Sequence, residues 1–129
     1  MMTVLAVAVG VVALVVLLQV TVFLRAKAMK GQAVPPIPGP LGERLATAGR
    51  GLIYFFSPGC AACRPLTPKL QELSRSNPTV HVVDVSRHME IARALRVMGT
   101  PSLVEIAEGK IVGYHVGAPP PGLLERWSG

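Results

Sequence analysis

The sequence predicts an α/β sandwich around a mixed central sheet, preceded by one N-terminal transmembrane helix. Three observations carry this reading. An uncharged apolar run lies near the N-terminus, short apolar runs later alternate with helical periodicity, and two cysteines separated by two residues stand where a strand gives way to a helix. The chain has 129 residues, room for one ordinary domain but not for a large multidomain enzyme. Hydrophobic residues make up 50% and charged residues only 16%, which disfavours disorder and assigns part of the chain to a membrane.

From Val4 to Leu24 the chain reads VLAVAVGVVALVVLLQVTVFL, without a charge. As a helix rising ~1.5 Å per residue, this run is about 31 Å long and matches the hydrocarbon core of a bilayer. A cleaved secretory leader is the alternative, and Ala26-Lys27-Ala28 offers a small-residue cleavage pattern. The run is nevertheless longer than the ~7–15 apolar residues of a leader core, and no basic residue precedes it. A retained single-pass anchor over residues 1–30, with its basic flank, is therefore expected. Arg25, Lys27 and Lys30 supply three of the thirteen basic side chains, leaving ten against seven acidic ones in the remainder. Half of the net charge of +6 is thus an anchor flank, and the +3 left to the remainder is not a nucleic-acid footprint, so no nucleic-acid partner is expected.

Residues 31–40, GQAVPPIPGP, hold four prolines and read as an extended spacer. At ~3.1 Å per residue it would hold a domain roughly 25–30 Å from the bilayer. Leu41 to Ala48 fits a short helix, and Gly51 to Phe56 is a continuous apolar run bounded by turn residues, as in a buried strand. A helix is expected from Cys60 to about Ser74, with Leu66, Leu70 and Leu73 on one face and Pro68 as a kink. Thr79 to Val85 is the next strand. Ser86 then caps a helix through Val97 that Gly99 stops. Ser102 to Ala107 and Lys110 to Val116 form a hairpin turning at Glu108-Gly109, and a short helix closes the chain near Leu123 to Trp127. The order βα, βα, ββ gives the mixed sheet.

The chemistry concentrates in Phe55 to Arg64, FFSPGCAACR. A helix N-terminus presents unpaired amide N–H groups and the positive end of a dipole, so a cysteine there is expected to be more ionised than a free thiol. Cys60 is thus the candidate nucleophile. Cys63, one turn on and facing inward, can reach back to close a disulfide, which separates an attacking thiol from a resolving one. Zinc needs two further ligands, and His81, His88 and His115 stand at no ligand spacing, so no metal centre is expected. Arg64, directly after the pair, is the candidate for electrostatic stabilisation of the Cys60 thiolate. No phosphate loop or paired-carboxylate site occurs.

A second signal is Gly99-Thr100-Pro101 before the hairpin. Taken together, Cys60-Ala61-Ala62-Cys63 at a helix start, Pro68 five residues later, Thr100-Pro101, Gly109 and Gly117 resemble the thioredoxin superfamily over about residues 50–118. The resemblance implies a thioredoxin-like sandwich over residues 41–129, a cis bond before Pro101, and Thr100 and Pro101 offering main-chain groups to an extended substrate. The segment Phe55 to Leu70 is also similar to that of membrane-anchored thioredoxin-like proteins, including the methylamine dehydrogenase accessory protein. There are departures. Gly59 replaces the tryptophan before the first cysteine, Ala61-Ala62 replaces Gly-Pro, and Tyr54 stands where thioredoxins bury an aspartate. An obvious first strand is missing, and the last helix is short, so a trimmed or partner-completed domain is expected.

The function these features imply is membrane-tethered thiol-disulfide exchange with protein thiols and disulfides, supported by a redox partner protein. Its redox group is the Cys60–Cys63 disulfide and no dissociable cofactor is needed. With Ala61-Ala62 between the thiols and no histidine there, the direction leans to reduction. The alternatives are a binding module or soft-metal chaperone using the same two cysteines, and a structural subunit of a membrane complex. Sidedness stays open, because the basic flank favours a cytoplasmic domain and the family resemblance a periplasmic one.

Overall fold

The computed structural model describes residues 1–128. Helix α1 (Met2–Met29) is followed by α2 (Pro40–Ala48), β1 (Arg50–Phe56), a 3-10 turn (Ala61–Cys63) and α3 (Thr67–Ser76). Next come β2 (Val80–Asp84), α4 (Met89–Ala94), β3 (Ser102–Ala107), β4 (Lys110–Val116) and α5 (Leu123–Arg126). The sheet order is β2-β1-β3-β4, with β1 parallel to β2 and antiparallel to β3, and β3 antiparallel to β4. The expected mixed sheet and α/β sandwich are present. The hairpin turns where Glu108 and Gly109 both take positive φ, 54° and 73°.

Strand β1 is buried on both faces because its alternating side chains enter two different cores. Ile53 and Phe55 join Val104, Ile106, Ile111, Leu45, Ile91 and Leu95 on one side. Leu52 and Tyr54 join Leu103, Leu70, Leu73, Leu123 and Trp127 on the other. A run of apolar residues without period thus reads correctly as the central strand of a covered sheet.

Three local expectations need correction. The helix expected from Cys60 starts only at Thr67, since Pro65 and Pro68 carry no N–H for the carbonyls of Ala61 and Arg64, and an α-ladder cannot run through them. Pro68 sits in the first turn of α3, where a missing N–H costs nothing, so it starts a helix instead of kinking one. Helix α4 is also shorter than expected. The Ser86 hydroxyl and N–H both donate to Asp84 Oδ1 (2.6 and 2.9 Å), forming a turn in place of a cap.

The third correction concerns residues 31–40, which do not stand the domain off. The N–H of Gly31 donates to Ile111 O, that of Ile111 to Gln32 O and that of Val34 to Gly109 O, and Ala33 bridges Lys110 along the outer edge of β4. Val34 and Ile37 pack on the core, and Met29, at the end of α1, is buried in it. The sheet keeps its four strands, with this isolated bridge added at the β4 edge. Among the described residues, α1 is the one helix long and apolar enough to cross a membrane.

At the C-terminal end of α4, Arg96 takes φ 56° and the Tyr114 hydroxyl donates to the carbonyls of Leu95 (3.1 Å) and Arg96 (2.9 Å). Burial pushes the Tyr114 phenol up to about 12. The folded chain holds this proton more tightly than the unfolded chain, whose phenol ionises near its ordinary value of about 10. Its contribution is therefore complete below pH ~10 and is lost as pH climbs towards ~12. Urea titrations should show stability falling over that window, with a shallower fall in Tyr114→Phe. That variant should also lose about 1 kcal/mol near neutrality, the worth of its hydrogen bonds.

Candidate active site

Cys60 and Cys63 form a disulfide, with Cα atoms 5.3 Å apart. The two sulfurs have different surroundings. Cys63 is 1% exposed, whereas Cys60 is half-buried and flanked by exposed Gly59, Ala61 and Ala62. Cys60 caps the 3-10 turn, and its Sγ accepts a hydrogen bond from the Cys63 N–H at 3.2 Å. The N-terminal amides expected from a long helix are thus those of this single turn.

The turn is held from below by two residues that sequence reading did not assign to the site together. Thr67 Oγ1 donates to Cys63 O at 2.9 Å, so the Tyr54 O–H, 2.9 Å away, donates to Thr67 Oγ1. Thr67 was legible in principle, because a threonine four residues after a carbonyl can bond back to it. Tyr54 is fully buried, and burial holds its phenol above the ordinary range. At the position of the family's aspartate this chain therefore has a neutral hydrogen-bond donor and no proton acceptor.

The second wall is the Thr100-Pro101 loop, whose peptide bond is cis. Ser57 Oγ lies 3.4 Å from Thr100 Oγ1, which joins this loop to the cysteine turn across the sheet end. Pairing of Phe55 with Ser102 and of Ser102 with Val116 assembles the end of β1, the start of β3 and the end of β4 at one place. Pro101 O accepts from the Gly117 N–H at 2.8 Å. Arg64 is exposed and, among the described residues, forms no ion pair. Cys60, Cys63, Thr100 and Pro101 are thus brought together, and Arg64 stands at the margin.

A disulfide joining a half-exposed to a buried cysteine at the end of a mixed sheet, beside a cis-proline loop, defines a dithiol-disulfide protein by class. The thioredoxin family model matches residues 42–127, and the chain belongs to that family. It is 34% identical over 90 residues to thioredoxin of Echinococcus granulosus, covering 65% of this chain and 84% of that one. It is 35% identical to thioredoxin-2 of Pyricularia oryzae over 56% of this chain, but spans only 43% of that protein. Of a thioredoxin domain-containing protein of Theileria parva, 29% identical, it spans 34%. Among solved structures, Fasciola hepatica thioredoxin superposes with a TM-score of 0.54 at 31% identity, covering 67% of this chain and 88% of the other. Thioredoxin of Schistosoma mansoni also gives 0.54 at 31% identity, over 63% and 80%.

Proposed function

We propose that this chain is a membrane-tethered thiol-disulfide oxidoreductase that exchanges its Cys60–Cys63 dithiol and disulfide with protein substrates and works as a reductase. One observation carries the reading: Cys60 is reachable, while the Cys63 sulfur bonded to it is not. In the reduced chain the Cys60 thiolate attacks a substrate disulfide, whose S–S bond breaks and releases one substrate thiolate that takes a proton from water. Cys63 then loses its proton and attacks Cys60 Sγ, breaking the mixed disulfide. The second substrate thiolate leaves, and two electrons have passed from the chain to the substrate. A redox partner protein with a dithiol reverses the change in the chain.

The residues around the pair support distinct parts of this cycle. The Cys63 N–H already aimed at Cys60 Sγ favours the thiolate, and the Arg64 guanidinium adds a solvent-screened attraction. Because the Tyr54 phenol stays neutral and its proton is committed to Thr67, the Cys63 proton passes to water or to the departing substrate thiolate. Pro101 has no N–H, and its carbonyl is held by Gly117, so in this reading Thr100 supplies the main-chain contact to substrate and Pro101 an apolar wall. The tether is α1, with residues 1–30 as anchor and basic flank.

The test is trapping. A Cys63→Ala chain challenged with a disulfide-bonded protein should accumulate a mixed disulfide through Cys60 that dithiothreitol releases, and a Cys60→Ala chain should accumulate none. Absence of the adduct together with copurifying Cu(I) would overturn the reading in favour of a soft-metal binding module.

A further inference from the structure

We infer that α1 holds the redox end of the domain against the bilayer surface, so that its partners are thiols and disulfides of membrane-inserted proteins. This rests on the tethered-oxidoreductase reading above. The geometry is set at both ends of β4. The chain leaving α1 pairs with the start of β4, where the N–H of Gly31 meets Ile111 O and Met29 enters the core. Further back along the helix, Leu18, Val22 and Phe23 line a groove opposite Val116, Ala118 and Pro120, just past the end of β4.

The two spans agree in length. Met29 to Leu18 rises about 16 Å along a helix, and Ile111 to Val116 about 16 Å along a strand. Helix α1 therefore runs antiparallel beside β4, and its first part, Met2 to Leu17, continues roughly 24 Å beyond the sheet end at which Val116 stands. That end also carries Cys60 and the Thr100-Pro101 loop, since Val116 pairs with Ser102, Ser102 with Phe55, and Gly117 bonds Pro101. Met2 to Leu17 supplies about 24 Å of the ~30 Å hydrocarbon core, so Leu18 to Phe23 and the rim beside them lie at the boundary between hydrocarbon and headgroups. Gln19 and Thr21, the polar residues of the apolar run, fall in this stretch.

The rim suits that position. Pro58, Gly59, Ala61 and Ala62 around Cys60 are exposed and uncharged, and Met98, just before Thr100, is 78% exposed. The ion pair at this end of the sheet, Asp84 with Arg87, belongs to β2, the edge farthest from α1. A soluble partner would have to approach through the gap between rim and lipid. A disulfide carried at the membrane surface would already be there.

The full chain reconstituted in vesicles of phosphatidylcholine and phosphatidylglycerol tests this. Trp127, the single tryptophan, sits at the opposite end of the sheet against Arg50 and serves as the internal reference. A nitroxide on the lipid headgroup should roughly halve the emission added by Met98→Trp while changing that of Trp127 little, as expected for a group at the headgroup boundary. Bromine in the acyl chains should quench Leu14→Trp. If Leu14→Trp is quenched and Met98→Trp behaves like Trp127, the anchor stands and the inferred orientation is overturned. If Leu14→Trp is not quenched, the tether itself fails, and the orientation with it. As a second readout, the Cys63→Ala chain should react faster with a disulfide peptide lipid-anchored by a short linker than with the same peptide on a long one. The reverse order would show a site facing away from the membrane.

Discussion

Cys60→Ser should lower disulfide exchange by on the order of three decades or more, as removal of a nucleophile does. A serine hydroxyl ionises far above neutral pH and cannot leave as a stabilised anion, and the buried Cys63 cannot take its place. Cys63 is 1% exposed, closed off by the 3-10 turn above and by Tyr54 and Thr67 below. The effect should be asymmetric. Cys63→Ser keeps the reachable thiol, so its first step, measured by stopped-flow with a disulfide substrate, should persist within about tenfold of the parent while turnover stops at the mixed disulfide. Equal loss of the first step in both variants would mean that the exposure difference does not assign the roles. Stability should change little beyond the lost disulfide, because its loop is too short to constrain the unfolded chain strongly.

That asymmetry was legible in the sequence. A cysteine just after the strand Gly51–Phe56 and another one turn on already implied an outer and an inner sulfur. The strands were legible for a related reason: a strand covered on both faces is apolar without period, as in β1, and a hairpin needs residues that tolerate positive φ, as at Glu108-Gly109. What the sequence concealed depends on partners distant along the chain. Residues 31–34 hold four positions of a proline-rich stretch, and only the free edge of β4 turns them into a bridge. Helix α4 ends at Ala94, Arg96 takes a positive φ, and a phenol eighteen residues on satisfies the freed carbonyls of Leu95 and Arg96. Pro65 and Pro68 were readable as a block to the α-ladder, yet the leucine period of α3 is strong enough to extend the expected helix back over them.

Glu105 shows the same principle in the core, and replacing it should have the largest effect on stability. Two residues on from Leu103 along β3, it shares that residue's face towards the apolar layer of Leu52, Leu70 and Trp127, yet it is a carboxylate only 7% exposed. It persists because its acceptors are used. Oε1 accepts from Trp127 Nε1 at 2.9 Å and lies 3.4 Å from the Arg126 guanidinium, while Oε2 is 3.2 Å from His115 Nε2. Gly113, paired across from Glu105, leaves the room that a side chain would take from the carboxylate. The acid thereby pins α5, a helix of four residues that could not persist alone.

Glu105→Ala should cost about 2–4 kcal/mol: a cavity forms, the buried Trp127 N–H loses its acceptor, and α5 loses its anchor. Arg126, mostly exposed, regains water and adds little. Glu105→Gln keeps an acceptor for Trp127 and should cost roughly 1 kcal/mol. Guanidinium titrations followed by circular dichroism measure both, and Trp127 emission should shift to the red in the alanine variant as its ring gains water. Exchange at Cys60 in the folded fraction should be unchanged, because Glu105 lies on β3 away from the sheet end that carries the cysteines. If the alanine chain is as stable as the parent, the carboxylate is not what holds α5. Its retention would then rest on Leu123, Asn77 bonded to Trp127 O at 2.8 Å, and the Arg50 guanidinium stacked 4.5 Å from the indole.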